Sequence, residues 1–103
     1  MQSVLESAGF EAETFASAEA FLDTDVMHRA GCVVADVRLP GIDGFELHRR
    51  LRAARPTLPV IFVTAYDDDE ARRRALRDGA LAFMGKPFDA AELLAYVGAA
   101  LAR

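Results

Sequence analysis

The chain is poor in several residue types, and each shortage narrows what the protein can be. It has one cysteine, Cys32, so no disulfide can form within the chain, which fits a reducing compartment. No apolar run approaches the roughly 18 residues needed to cross a bilayer, and the N-terminus lacks a signal-peptide pattern. We therefore expect a cytoplasmic protein with no membrane partner. Because Cys32 begins an apolar run, we interpret it as a packing residue rather than a reactive thiol.

Lysine is also scarce, since Lys86 is the only lysine and arginine supplies the other positive charges. The net charge of −4 is unfavourable for binding nucleic acid, which depends on neutralising phosphates. Arginines cluster at positions 49–55 and 72–77, both on predicted helices, and we interpret them as solvated outer faces, with partner contact as the alternative. The 103 residues have the composition of one soluble globular domain, 1–103, and are too few for two.

Apolar residues recur at helical and strand spacing in alternation along the chain. The predicted strands are a weak one at Glu11–Phe15 and three buried apolar runs at Cys32–Ala35, Val60–Thr64 and Ala80–Met84. The predicted helices are Met1 to Ala8, Ser17 to about Asp25, Gly44 to Ala54, Asp67 to Gly79 with Glu70 completing a capping box, and Asp89 onward. Four strands and five helices in strict alternation indicate an α/β fold, with a parallel sheet covered by helices on both faces.

Three polar residues lie at the ends of the three buried runs: Asp36 directly follows the first, Thr64 ends the second, and Lys86 comes two residues after the third. In an open parallel sheet the carboxyl ends of the strands form the edge where ligands bind. A carboxylate can attack phosphorus, and a hydroxyl and an ammonium can position and neutralise the transferred group. Taken singly, Asp36 could cap a loop, Thr64 could simply end a strand, and Lys86 with Pro87 could form a surface turn. Their joint occurrence favours a phosphoryl-handling site.

The segment Asp36–Gly44, which reads DVRLPGIDG, resembles a known protein family when it is taken together with Thr64 and Lys86. It resembles the receiver domains of two-component response regulators, most closely the branch that includes the nitrogen-fixation regulator FixJ. The resemblance extends over the whole chain and implies a flavodoxin- or CheY-like doubly wound parallel sheet. It also implies that Asp36 is the phosphoacceptor, that Thr64 hydrogen-bonds the phosphoryl group and that Lys86 pairs with it.

The same resemblance implies further roles near the site. Phe83 would be the switch aromatic that moves with Thr64, coupling the site to the surface formed by the last two helices and the strand between them. Ala65 would control access to the site, and the Lys86–Pro87 bond would be cis. Tyr96 and Leu93 would lie at the output surface, although core packing explains Leu93 equally well. Such a protein is a signalling switch rather than an enzyme, beyond accepting and losing its own phosphoryl group.

One family feature is missing from the sequence. Receivers begin with an apolar strand ending in acidic residues that hold Mg²⁺, whereas Met1–Val4 already lies in the predicted first helix, a shortfall of roughly 15 to 20 residues. We therefore expect an N-terminally truncated receiver fold. The chain could be a fragment or a mis-started reading frame, a short variant completed by a partner or a rearranged strand, or a degenerate receiver. The remaining metal ligands would be the Asp36 carboxylate and the Arg38 main-chain carbonyl, so we expect weak Mg²⁺ binding.

Two functional hypotheses follow for the chain. The first is a phosphoacceptor receiver domain that takes its phosphoryl group from a sensor histidine kinase, with possible homodimerisation and with DNA contacted only through a separate output domain. The alternative is a phosphorylation-independent interaction module built on the same fold. A small flavodoxin-like enzyme is disfavoured because no glycine-rich phosphate loop follows a strand. His28 and His48 show no partner pattern, and we expect both to be exposed and without a role.

Overall fold

The structure is a computed structural model that describes residues 2–65 and 68–102. Within these residues the helices are α1 (Gln2–Ser7), α2 (Ala18–Leu22), α3 (Val26–Arg29), α4 (Gly44–Ala54), α5 (Asp69–Arg77) and α6 (Ala90–Leu101). The strands are β1 (Val33–Ala35), β2 (Val60–Thr64) and β3 (Ala82–Gly85). No helix in the described ranges is long and apolar enough to span a membrane.

The three strands form one parallel sheet in the order β1-β2-β3. Ala35 of β1 lies opposite Phe62 of β2, and Thr64 at the end of β2 lies opposite Gly85 at the end of β3. Every residue of β2 is buried, because this strand has a neighbour on each side and helices over both faces. The predicted parallel sheet of continuous apolar strands is therefore confirmed, and its carboxyl ends lie at one edge.

The side chains of β2 alternate between two apolar clusters, one on each face of the sheet. Phe62 belongs to the cluster that contains residues of α2, α3, α4 and α5. Ile61 and Val63 belong to the cluster that contains residues of α1 and α6. Burying side chains on both faces explains why the strand reads as an unbroken apolar run. Cys32 packs against the second cluster, and burial raises the pKa of its thiol to about 11, in agreement with a packing role.

The predicted strand at Glu11–Phe15 is wrong, since residues 10–15 form no strand and the sheet of the described chain has three strands rather than four. A strand requires a hydrogen-bonded neighbour, and within the described residues β1 pairs only with β2. The segment is instead anchored by its apolar side chains. Phe10 packs on the α1 and α6 face, while Phe15 packs edge-on against Phe21 with ring centroids 5.3 Å apart.

Helix starts follow the predicted caps with one change. Ser17 and Asp89 accept hydrogen bonds from main-chain N–H groups of the first turns of α2 and α6, as their residue types favour. The helix predicted from Ser17 to about Asp25 is shorter in the structure, since α2 ends at Leu22, and a further helix that was not predicted, α3, begins at Val26. The predicted capping residue Asp67 lies outside the described residues. Among those described, Asp68 is the N-cap of α5 and accepts from the Ala71 N–H at 2.7 Å.

His48 is not exposed, contrary to the expectation from sequence. It is 3% exposed on the inner face of α4, with its ring edge-on to Phe62 at a centroid distance of 5.6 Å. Burial lowers the pKa of His48 below its ordinary value, and the positive charge of Arg52 lowers it further, while Asp78 acts in the opposite direction. The sequence did not reveal the burial of His48. Leu47 and Leu51 mark the apolar face of α4, but this pattern does not decide whether the neighbouring position 48 is buried or exposed.

The buried His48 predicts a pH-dependent stability. Because its folded-state pKa is lowered, the unfolded chain binds a proton more readily, so the free energy of unfolding falls as the pH drops below about 6.5. It levels off once the folded-state histidine is also protonated. Urea unfolding between about pH 7.5 and about pH 5 should show this loss in the wild type and less of it in His48→Gln. His28→Gln, at an exposed position, is the control and should retain the wild-type slope. Equal slopes in all three proteins would contradict the prediction.

Candidate functional site

The parallel sheet brings three polar side chains to one edge. Asp36 follows β1, Thr64 ends β2, and Lys86 follows β3. The Thr64 hydroxyl donates to Asp36 Oδ1 at 2.7 Å, and Lys86 Nζ donates to Asp36 Oδ2 at 3.2 Å. Each oxygen of the carboxylate is therefore engaged by a different strand end. The side chains of Thr64 and Lys86, which the sequence singled out, thus each lie within hydrogen-bonding distance of the Asp36 carboxylate.

Main-chain groups complete the environment of the carboxylate. The Arg38 N–H donates to Asp36 Oδ1 at 3.1 Å, so the loop after β1 folds back onto its own first residue. The Lys86 N–H donates to the Thr64 carbonyl at 2.8 Å and ties the end of β3 to that of β2. The Lys86–Pro87 peptide bond is cis, as expected from the resemblance. These contacts fix the relative positions of the three strand ends.

Exposure differs sharply among the site residues. Thr64 is fully buried, the Asp36 side chain is 24% exposed, and the Lys86 side chain is 44% exposed. The Thr64 hydroxyl thus lies in the core, while the Asp36 carboxylate and the Lys86 ammonium are partly exposed to solvent. Ala65 and Pro87, which follow Thr64 and Lys86 in the chain, are exposed at this edge. A ligand can therefore reach the carboxylate without opening the core.

The pKa of the Asp36 carboxyl lies below its ordinary value. Partial burial acts to raise it, but hydrogen bonds from Thr64, from the Arg38 main chain and from Lys86, together with the positive charge of Lys86, lower it overall. Since an unperturbed aspartate already titrates near pH 4, Asp36 is ionised at neutral pH. The site therefore presents an anionic oxygen nucleophile beside a cation and a hydroxyl donor.

Two residues that support the loop after β1 were missed by sequence reasoning. Glu19 of α2 accepts a hydrogen bond from the Ile42 N–H at 3.2 Å, and no local pattern signals a contact 23 residues away in the chain. Gly44 begins α4 against the loop, and a Cβ at this position would collide with the main-chain oxygen of Asp36. The signal for Gly44 was the Asp-Gly pair itself, since glycine allows close backbone approach. Both residues hold the chain that carries Asp36.

Phe83 lies on β3, the strand that Lys86 follows. It is 4% exposed on β3 and packs against Phe62, with ring centroids 6.3 Å apart. Its ring is therefore inside the core, on the same side of the sheet as α4 and α5. On α6, Leu93 is fully buried, and Tyr96 is half-buried against the opposite cluster. Core packing accounts for Leu93, one of the alternatives that the sequence left open.

The described residues do not by themselves form a metal centre. No group of three or more His, Cys, Asp or Glu side chains in residues 2–65 and 68–102 is arranged to hold an ion. Of the ligands that the resemblance implies, the chain retains the Asp36 carboxylate and the Arg38 main-chain carbonyl. A hard divalent cation such as Mg²⁺ prefers about six oxygen ligands. The donor set present here therefore fits Mg²⁺ only in part.

Comparison with known proteins identifies the family of this site. The family model described as the response regulator receiver domain matches residues 1–98. The chain belongs to the response regulator receiver family. Among curated members, this receiver is 40% identical to the transcriptional regulatory protein FixJ of Bradyrhizobium diazoefficiens over 98 residues, which cover 95% of the receiver and 48% of that protein. The FixJ protein of Azorhizobium caulinodans is 43% identical over 100 residues, covering 97% and 47%. The receiver spans about half the length of these relatives.

Solved structures show the same fold. A putative response regulator from Chloroflexus aurantiacus is 36% identical, with a TM-score of 0.88 over 99% of this receiver and 85% of that chain. The receiver domain of NtrX from Brucella abortus is 29% identical, with a TM-score of 0.88 over 98% and 86%. The architecture is thus the CheY-like receiver fold that the resemblance implied. Receivers of this family are generally non-enzymatic signalling modules, are phosphorylated by sensor kinases and use Mg²⁺ for that reaction.

Proposed function

We propose that the chain is a phosphoacceptor receiver that takes a phosphoryl group from a sensor histidine kinase on Asp36. The observation that carries the proposal is the pair of contacts to its carboxylate, from Thr64 at 2.7 Å and from Lys86 at 3.2 Å. A carboxylate with a lowered pKa supplies the nucleophile. The hydroxyl and the ammonium are the groups that phosphoryl transfer needs for positioning and charge neutralisation.

The proposed reaction exchanges one bond to phosphorus for another. An Asp36 oxygen attacks the phosphorus of the donor phosphohistidine, the new P–O bond forms, and the P–N bond breaks with its electron pair returning to the imidazole. Lys86 stabilises the negative charge on the phosphoryl oxygens, and Thr64 donates a hydrogen bond to one of them. Water later hydrolyses the mixed anhydride and restores the carboxylate. The protein's own chemistry is limited to this acceptance and loss, so it acts as a switch.

Mg²⁺ is the cofactor expected for this family. Asp36 and the Arg38 carbonyl would hold it, and it would supply further neutralisation of phosphoryl charge. Because the described donor set is small, we propose that Mg²⁺ binds the 103-residue chain weakly.

The proposed output is a change at the surface formed by α5, β3 and α6. When Thr64 moves with a phosphoryl oxygen, Phe83 follows within the core and alters the packing beneath α5. This surface would then control an output domain or formation of a homodimer, with DNA contacted only through the output domain. We place this signalling in the cytoplasm, where the proposed kinase donor would act. Ala65 and Pro87, both exposed at the edge, would set access to Asp36.

The proposal predicts a slow, Mg²⁺-dependent self-phosphorylation. With acetyl phosphate, the chain should gain one phosphoryl group per molecule, seen by intact mass and removed by neutral hydroxylamine, as expected for an acyl phosphate. The rate should keep rising with Mg²⁺ beyond the millimolar range because binding is weak. Rapid labelling that saturates at low Mg²⁺ would contradict weak binding. No hydroxylamine-labile label at any Mg²⁺ concentration, in a folded sample, would contradict the proposed function and favour a phosphorylation-independent interaction module.

A further inference from the structure

Arg72 behaves differently from arginines that cover the outer faces of helices. Arg49 and Arg50 of α4 are exposed and both pair with Glu46, as expected for a solvated face. On α5, Arg73 is exposed as well. Arg72 is half-buried and turns toward β3, so the interpretation of its cluster as a solvated face is wrong at this position. A guanidinium brought toward the core needs a specific set of contacts.

Two contacts join Arg72 to the proposed switch residue. Its Nη1 donates to the Phe83 main-chain carbonyl at 2.8 Å. The centre of its guanidinium lies over the Phe83 ring, 5.1 Å from the ring centroid. The first contact anchors the guanidinium, and the second places its positive charge on the aromatic face. Phe62 is a further neighbour of the same ring within the core, at a centroid distance of 6.3 Å.

We propose that Arg72 is a positioning residue that holds the Phe83 ring inward. The proposal rests on the proposed function, since it assigns the regulation of the same switch. The attraction between a cation and an aromatic face acts only while the ring lies under the guanidinium. Rotation of Phe83 toward solvent breaks this contact, whereas the bond to the Phe83 carbonyl does not depend on the ring. The inward rotamer is therefore favoured whatever the state of Asp36.

The expected size of this bias is large enough to matter for signalling. A cation–π contact that is partly withdrawn from water shifts a two-state equilibrium by roughly tenfold. If the phosphorylated state requires Phe83 inward, Arg72 lowers the free-energy difference that phosphorylation must overcome. The receiver then responds to a lower level of phosphorylation than a chain without this arginine. Arg72 acts through Phe83 and does not touch the reacting atoms.

The test uses the absence of tryptophan from the sequence. Phe83→Trp places the sole indole of the chain at this position, and its emission wavelength and acrylamide quenching report its exposure. Arg72→Ala in this background should increase the quenching constant and shift emission to the red, since loss of the contact shifts the rotamer ratio by roughly tenfold toward the outward ring. Arg73→Ala, which removes the neighbouring exposed arginine, is the matched control and should leave both unchanged. The measurement needs no phosphoryl donor, so its result is independent of whether Asp36 is phosphorylated.

An alternative readout and an alternative variant test the proposal if the first experiment cannot be interpreted. The indole of the Phe83→Trp parent could already be fully exposed. In that case the nuclear Overhauser effect between the Phe83 and Phe62 rings is measured instead of fluorescence, in chains that keep both phenylalanines. This signal should weaken in Arg72→Ala and persist in Arg73→Ala. Arg72→Met, which keeps the apolar stem, serves if circular dichroism shows that the alanine variant is unfolded. Equal ring exposure in the folded Arg72 and Arg73 variants would overturn the positioning role, even if Asp36 is the phosphoacceptor.

Discussion

Asp36→Asn should abolish the response of the protein to beryllofluoride, which mimics a phosphoryl group on a carboxylate. The amide keeps the volume of the side chain but loses the anionic oxygen that coordinates beryllium, so no complex forms. In the wild type, binding to the folded state alone raises the melting temperature in proportion to the logarithm of ligand concentration. At high Mg²⁺ we expect a clear rise for the wild type and none for Asp36→Asn.

A matched substitution separates this effect from a general loss of carboxylates. Asp25 precedes α3, and its side chain makes no capping hydrogen bond, so Asp25→Asn removes the same charge at little structural cost. It should keep the full wild-type rise. Hydrogen exchange in α5 and α6 should slow with beryllofluoride in the wild type and Asp25→Asn only. A full response in Asp36→Asn would show that the ligand acts elsewhere.

Lys86→Ala should have the second large effect, on the rate of phosphorylation. Removing a preorganised charge from a phosphoryl-transfer site typically slows the reaction by about 100-fold or more. The Asp36 pKa should also rise, because Lys86 contributes both a hydrogen bond and a positive charge that lower it. Labelling rates with acetyl phosphate at fixed high Mg²⁺ measure the first effect. The stoichiometry at long times should remain one per chain if Asp36 still accepts the group.

Two control variants show whether the effect of Lys86→Ala comes from the Lys86 contact or from net charge. Arg77→Ala removes one positive charge from a side chain that is 74% exposed, and its labelling rate should stay close to that of the wild type. Lys86→Arg keeps the charge but replaces a compact ammonium with a planar guanidinium. Its labelling rate should therefore fall between those of the wild type and Lys86→Ala. A rate loss in Arg77→Ala as large as in Lys86→Ala would mean that net charge, rather than the Lys86 contact, controls the reaction.

The sequence predicted the parts of the fold that depend on local pattern. Unbroken apolar runs located β1, β2 and β3 to within two residues, because strands buried on both faces tolerate few polar residues. The convergence of Asp36, Thr64 and Lys86 followed from parallel strands sharing one carboxyl edge. The cap residues Ser17 and Asp89 located two helix starts for the same local reason.

The features that sequence missed depend on contacts between distant segments. The weak strand at Glu11–Phe15 has suitable alternation, but strand formation requires a neighbour, which local pattern does not reveal. His48 and Arg72 look like surface residues because their types are polar, yet each is turned toward a phenylalanine ring. Glu19 reaches the loop after Asp36 from α2. For these three side chains the deciding partner lies at least 11 residues away.

The most direct measurement locates the phosphoryl group on the chain. The protein is labelled with acetyl phosphate and Mg²⁺, the acyl phosphate is reduced with borohydride, and the peptides are sequenced by mass spectrometry. Phosphorylation of Asp36 predicts homoserine at position 36 and intact aspartate at neighbouring carboxylates such as Asp43 and Asp68. Homoserine at another position, with Asp36 unchanged in the folded protein, would contradict it.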